Sequence, residues 1–335
     1  MEGLGIKKEI LELVKQIRRN INRIQKQGAL LQQLEKWLRI TSALDVVEDT
    51  VCAIDYYCEQ KYPEFIDGKY LFTYGLLQAL FMQQDATESI NAVLRDSKRI
   101  NWEQNYPDAF AARKIRNDVA GHPTNRGHGN YIHLAQISMK KNSFWYINTN
   151  AENHKSEIID VDVMKIIEDV LHCNKKVLGD VLQELEEEFI VYIDAHKDRK
   201  MQDIFSNLGY TKQKIFENDV LKIHFYNSTK VMVDKCEKEL KLRYGSVENA
   251  ESYKFLLVEV HELFDLIDNA RYQILADSYE SMTKYLLQCL FYKLEELESY
   301  CCETDEYFAN YGEVHTIDCQ SDLQIIITGA DMLED

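Results

Sequence analysis

Apolar side chains recur at helical intervals along most of this 335-residue chain, and the first run of them is unusually long. Ile6, Ile10, Leu13, Val14, Ile17, Ile21, Ile24, Leu31, Leu34 and Leu38 predict one amphipathic helix over residues 6–38. Thr41-Ser42 then offers an N-cap for a second helix through Leu44, Val47, Val51 and Ile54, which ends near Tyr57, ahead of Tyr62-Pro63. A third helix, from about Asp67 to Leu94, carries Leu71, Leu76, Leu77, Leu80, Phe81, Ile90 and Val93 and is apolar enough to be central. The polar run Gln83-Gln84-Asp85 interrupts its face. Pro107 suits a first helical turn, and Ala109, Phe110, Ala112, Ile115 and Val119 carry a fourth helix to a stop at Gly121-His122-Pro123.

After a Gly/His/Asn loop at 124–130, Tyr131–Met139 and Ser143–Asn148 read as two β-rich runs joined by Lys140-Lys141-Asn142, predicting a β-hairpin insertion at 131–149. A fifth helix is expected from about Val161 to Ile193, with Val163, Ile166, Ile167, Val170, Leu171, Val177, Leu178, Val181, Leu182 and Leu185 on its apolar side. Further helices follow at roughly 212–242 and 250–300, then a β-like stretch, Val314–Thr328, with no internal repeat. The expected fold is mainly α, in three parts: a long amphipathic basic arm (1–40), a helical bundle with the hairpin (41–195) and an acidic helical C-terminal region with the β-like stretch (196–335).

Composition agrees with that class, since only three prolines interrupt the chain, none after Pro123. No apolar run is long enough to span a membrane, and the N-terminus lacks the pattern of a secretory signal, so a cytoplasmic location without membrane association is expected. The eight cysteines include no C-x-x-C pair and sit mostly among apolar helix residues, as buried thiols do. Charge is uneven: residues 1–130 hold 18 Lys+Arg against 17 Asp+Glu, whereas residues 131–335 hold 21 against 39. Residues 7–39 alone carry nine basic side chains against Glu9, Glu12 and Glu35. Screening over roughly 8 Å lets such a patch attract a polyanion despite the net charge of -17. The plainer alternative is a solvated face, or one docked on the acidic C-terminal part.

The chemically distinctive segment is the end of the fourth helix, Arg116-Asn117-Asp118-Val119-Ala120-Gly121-His122-Pro123. On an unbroken helix Arg116 and His122 lie about 240° apart, but a left-handed Gly121 at the helix stop lets His122 swing toward Arg116. A fixed guanidinium beside an imidazole suits RNA cleavage, because the first holds phosphate and the second moves a proton near neutral pH. Asp85 and Glu88 on the third helix are candidates to orient either group. Arg126 to His133 repeats a similar interval, but in a glycine-containing loop leading to a strand, so setting rather than spacing carries the first match. His122, His128 and His133 lack a carboxylate or thiol at a recognised metal-ligand spacing, and no phosphate-loop, dinucleotide or zincin motif occurs. Neither cofactor nor metal is expected. Against these readings, Arg116 and Asp118 can be surface charges, Asn117 a solvated polar residue, and His122 a helix-end residue favoured by the dipole.

An Arg followed by a polar residue, with His after five intervening positions at the end of a bundle helix, resembles the HEPN superfamily over about residues 41–190. The resemblance implies a metal-independent endoribonuclease whose motifs face each other across a homodimer, leaving 2′,3′-cyclic phosphate and 5′-hydroxyl ends, often as a toxin or phage-defence effector. Arg116 would bind the scissile phosphate and His122 would transfer a proton or position phosphate, with Asn117 and Asp118 aligning them. Expected partners are RNA, a second copy of the chain and an antitoxin or regulatory protein. The rival function is a non-catalytic HEPN-like adaptor serving another toxin or nucleotidyltransferase component.

Overall fold

The computed structural model describes residues 2–95, 99–121, 124, 129–217, 222–272 and 278–310. Among them the chain forms eleven α-helices and one small antiparallel sheet, a mainly helical fold with a β insertion. It divides into two compact units, Met1–Glu188 and Phe189–Asp335, each with its own apolar core.

The first unit opens with α1 (Glu2–Ile21), α2 (Ile24–Leu31) and α3 (Leu34–Glu59). The helix expected over 6–38 is therefore broken at residues 22–23 and 32–33. The reason is tertiary: α3 returns antiparallel along α1, with Lys7 on Asp55 (2.5 Å) and Arg18 on Asp45 and Glu48 (2.6 and 2.7 Å). Ile6, Ile10, Val14, Ile17 and Ile21 thereby join Ile40, Leu44, Val47, Val51 and Ile54 in one core. Each such burial stabilises by roughly 1.5–3 kcal/mol, against at most about 1 kcal/mol for a partly exposed ion pair, so the apolar contacts decide the turn. Leu31, Leu34 and Leu38, which an unbroken helix would share with that stripe, stay 46, 57 and 57 % exposed. Residues 1–40 are thus part of the first core rather than a separate arm, and acids of α3 meet the basic face of α1. Thr41, expected as an N-cap, lies inside α3, where its hydroxyl donates to the carbonyl of Trp37 at 3.1 Å.

α4 (Ile66–Leu94) packs along α3 and is buried over much of its length, including Gln83 and Gln84. The Gln83 amide oxygen accepts from Asn174 at 2.9 Å, so two members of the polar run expected to interrupt the apolar face, Gln83 and Gln84, are built into the interior, while Asp85 is exposed. α5 (Trp102–Asn105) leads to α6 (Pro107–Arg116), with Pro107 in the first turn as expected. Strands β1 (Asn130–Leu134), β2 (Ser143–Asn150) and β3 (Lys155–Asp162) follow in sheet order β1-β2-β3. The expected hairpin is present with a third strand added. Residues 155–162 pair with β2, Phe144 opposite Val161 and Asn150 opposite Lys155, so the fifth helix starts later than Val161, as α7 (Val163–His196). Asn150 closes the reversal locally: its Oδ1 accepts from the backbone N–H groups of Glu152 and Asn153, both at 3.0 Å. Ile132, Phe144, Tyr146 and Val161 face the core.

The boundary between units falls inside α7, at Glu188, ahead of the expected 195. The second unit contains α8 (Leu208–Glu217), α9 (Lys222–Tyr244), α10 (Glu251–Tyr272) and α11 (Ser278–Asn310). α8 and α9 occupy the stretch expected to be helical at roughly 212–242, and α10 and α11 that at roughly 250–300, while residues 218–221, 273–277 and the stretch 314–328 lie outside the described residues. Arg243 is buried in this unit, bonded to Glu239 (3.2 Å), within 3.6 Å of Asp305 and 4.6 Å from the Phe308 ring centre. His196 packs edge-on to Tyr192 and Phe308. Burial first, then the Arg243 charge, hold its pKa below the ordinary 6.5, with Glu239 offsetting part of the effect and Arg199 adding to it. The unfolded chain therefore takes up more protons than the folded one as pH falls below about 6.5, and stability declines over that range. His196→Gln is expected to flatten this decline in thermal midpoints followed by circular dichroism; parallel curves for the two proteins would refute it. Among the described residues no helix is long and apolar enough to cross a membrane.

Candidate functional site

Gln78, Phe81, Asp85 and Glu88 recur three or four residues apart on α4 and so share one face of it. α6 crosses that face antiparallel, setting Arg113 beside Gln84 and Asp85, and Arg116 beside Gln78 and Phe81. The Arg116 Nε and Nη2 groups both donate to the Gln78 amide oxygen, at 3.1 and 2.9 Å, while Nη1 donates to Asn117 Oδ1 at 2.9 Å. Its Cζ stands 4.3 Å from the Phe81 ring centre. Among the described residues no carboxylate forms an ion pair with Arg116.

Arg113 is held differently. Its Nε donates to Gln84 Oε1 (3.1 Å), its Nη2 pairs with Asp85, and its Cζ lies 4.8 and 5.2 Å from the ring centres of Phe81 and Trp102. Burial, and then the neighbouring Arg116 charge, lower its pKa from the ordinary guanidinium value. Gln84 also donates to the Ala109 carbonyl at 2.8 Å, and the Trp102 indole donates to Glu88 at 2.8 Å. Asp85 and Glu88, candidates to orient Arg116 or His122, hold Arg113 and Trp102 respectively, while His122 lies outside the described residues.

Beyond Arg116 the chain does not end in a left-handed glycine. Asn117–Gly121 wind as a wider π-helical segment, and among the described residues the glycines with positive φ are Gly129 and Gly245. π-Segments widen the turn to i→i+5 and concentrate at functional sites. This winding returns Gly121 over Arg116, where a Cβ would lie 3.1 Å from Nη1 and 3.5 Å from Asn117 Oδ1. Gly121→Ala is expected to displace the guanidinium rather than the backbone, because the side-chain end yields first. Stability should change by no more than a neutral surface substitution does, roughly 0.5 kcal/mol, in urea unfolding. A larger loss would show that the backbone of the π-segment, and not the guanidinium, gives way.

Asn117 stays beside Arg116, whereas Asp118 is buried and its Oδ2 accepts from the Tyr146 hydroxyl at 2.9 Å. Asp118 thus fastens the π-segment to β2. His122, Arg126 and His128 lie outside the described residues, and His133 is exposed on β1. The structure brings together Arg116, Asn117 and Gly121, and adds Gln78, Phe81 and Arg113, which the sequence reading did not single out. The available signal was Gln78 spaced seven residues before Asp85 on the same helical face.

The last turn of α6 holds three basic residues, Arg113, Lys114 and Arg116, and helix carbonyl ends favour cations by about 0.3–1 kcal/mol. That effect explains basic residues there but not the acceptors that fix one guanidinium. A rigid guanidinium without a carboxylate partner among the described residues, two of whose N–H groups donate to no described residue, is suited to contact with a phosphate. Among the described residues no group of three or more His, Cys, Asp or Glu side chains is placed to hold a metal ion. Comparison with known proteins finds no matching family model, no similar curated protein and no similar solved structure.

Proposed function

We propose that this protein is a metal-independent endoribonuclease of HEPN type, working through Arg116 and His122. The observation that supports it is the Arg116 guanidinium, fixed by two amide oxygens and an aromatic ring and left without a carboxylate partner among the described residues. In this reading Arg116 binds the scissile phosphate and stabilises its developing charge. The ribose 2′-hydroxyl attacks phosphorus and the P–O5′ bond breaks. The proton lost from the 2′-oxygen is balanced by one gained at the 5′-oxygen, leaving 2′,3′-cyclic phosphate and 5′-hydroxyl ends. His122 transfers a proton or positions the phosphate, and Asn117 and Asp118 act as aligning residues. The resemblance further suggests a homodimer with facing motifs and a role as a toxin or phage-defence effector, restrained by an antitoxin or regulatory partner in the cytoplasm.

The test is incubation of purified protein with total RNA in EDTA, comparing wild type, Arg116→Ala and His122→Ala, with light scattering to report oligomeric state. Wild type should cut and both variants should be impaired. An inert wild type, or variants that cut equally well, would replace the nuclease by a helical adaptor; a strict monomer would remove the composite site.

A further inference from the structure

The face of α4 that holds Arg116 continues toward the start of the helix. Tyr74 and Tyr70 lie one and two turns before Gln78, displaced by roughly 6 and 12 Å along the axis, and within a quadrant of the same side. Because α6 runs antiparallel to α4, from Arg113 beside Asp85 to Arg116 beside Gln78, its C-terminal end advances toward these tyrosines. The two rings are in contact, with centres 5.7 Å apart and planes inclined at 41°. Tyr74 is 36 % exposed, and the adjoining Leu71 is 72 % exposed. Neither Tyr70 nor Tyr74 has a hydrogen-bond partner for its hydroxyl among the described residues.

We infer that Tyr70 and Tyr74 form a stacking platform for the bases of single-stranded RNA flanking the phosphate bound by Arg116. The inference rests on the proposed nuclease reading and names its substrate class. An aromatic pair one and two helical turns along α4 from the Gln78 that holds Arg116, a guanidinium with no carboxylate partner among the described residues, matches both things a single strand presents: a charged backbone and an exposed π-face on every base. A duplex withholds the second, because its bases are stacked on each other and the deep groove of A-form RNA excludes side chains. The partly exposed tyrosines therefore select unpaired RNA without reading a particular base, since stacking tolerates any of them.

The experiment uses the full chain and a fluorescent 2′-O-methyl oligonucleotide, which has no attacking hydroxyl, as a single strand and as a duplex. Fluorescence anisotropy should show tighter binding of the single strand. Tyr74→Ala should weaken it about tenfold, Tyr74→Trp should retain it, and cleavage of unmodified RNA by Tyr74→Ala should show a raised KM with kcat largely kept. If wild type cuts RNA but Tyr74→Ala binds and cuts as wild type does, the platform is refuted and the nuclease reading survives. If Tyr74→Ala instead converts a dimer into a monomer, the tyrosines serve contact between copies and the platform is likewise refuted. A wild type that neither binds nor cuts overturns both.

Discussion

Arg116→Ala is expected to reduce RNA cleavage by about a hundred- to a thousandfold while leaving the protein folded. Loss of one preorganised donor aimed at developing oxyanion charge costs roughly that much in rate. The structural cost is smaller. The substitution removes a cation–π contact with Phe81 at 4.3 Å, of about 0.5–1 kcal/mol, and bonds to Gln78 and Asn117 that together contribute on the order of 1 kcal/mol. Neither acceptor is a carboxylate, so no buried charge is stranded. Arg116→Lys keeps the charge but not the planar fork, and should fall between wild type and alanine. Single-turnover rates at saturating RNA, with thermal melts of the same samples, separate the two effects. A rate loss matched by unfolding, or no rate loss, would remove Arg116 from the chemistry.

Asp118→Ala should act in the opposite way, on stability first. Asp118 is 4 % exposed, and Tyr146, whose hydroxyl donates to its carboxylate, is only 1 % exposed. Removing one side of a buried bond costs roughly 1–3 kcal/mol, and more when the group removed is charged, so a loss near 3 kcal/mol is expected. For a unit of this size that corresponds to a fall in the melting midpoint on the order of 5–10 °C. Tyr146→Phe should cost less, and the double variant should lose less than the sum of the two, since neither partner is then left facing an absent one. Strict additivity in urea unfolding would exclude the bond as the link between the π-segment and the sheet. Cleavage by Asp118→Ala below its melting range should persist at a reduced rate, as expected of a residue that fastens the π-segment next to Arg116 to β2.

How much of this was legible in sequence differs from element to element. α4 could be read almost to its ends, because Leu76, Leu77, Leu80, Ile90 and Val93 repeat at the period of a helix with one dominant buried side. The start of α6 was legible for a local reason too, Pro107 in its first turn. Residues 6–38 carry the same period yet fold as three helices rather than one. Periodicity records which side chains can share a face, and it is silent on where burial against another segment favours turning the chain back, as α3 does against α1. β3 was hidden behind Val161, which serves a strand or a helix equally well, until the Asn150 turn and the pairing with β2 fixed its state.

The candidate site divides in the same way. Sequence determined that Arg116, Asn117 and Gly121 stand at the end of an amphipathic helix in a mainly helical chain, since spacing and turn chemistry act over a few residues. Only the tertiary structure decided that a π-segment, rather than a left-handed glycine, brings Gly121 over Arg116. It alone paired Asp85 with Arg113 and gave Arg116 the neutral Gln78 as its support. Those partners lie 28 to 38 residues away along the chain, and which of them a guanidinium meets depends on how α4 and α6 cross. That crossing is set by the packing of both helices in the core, which no local pattern specifies.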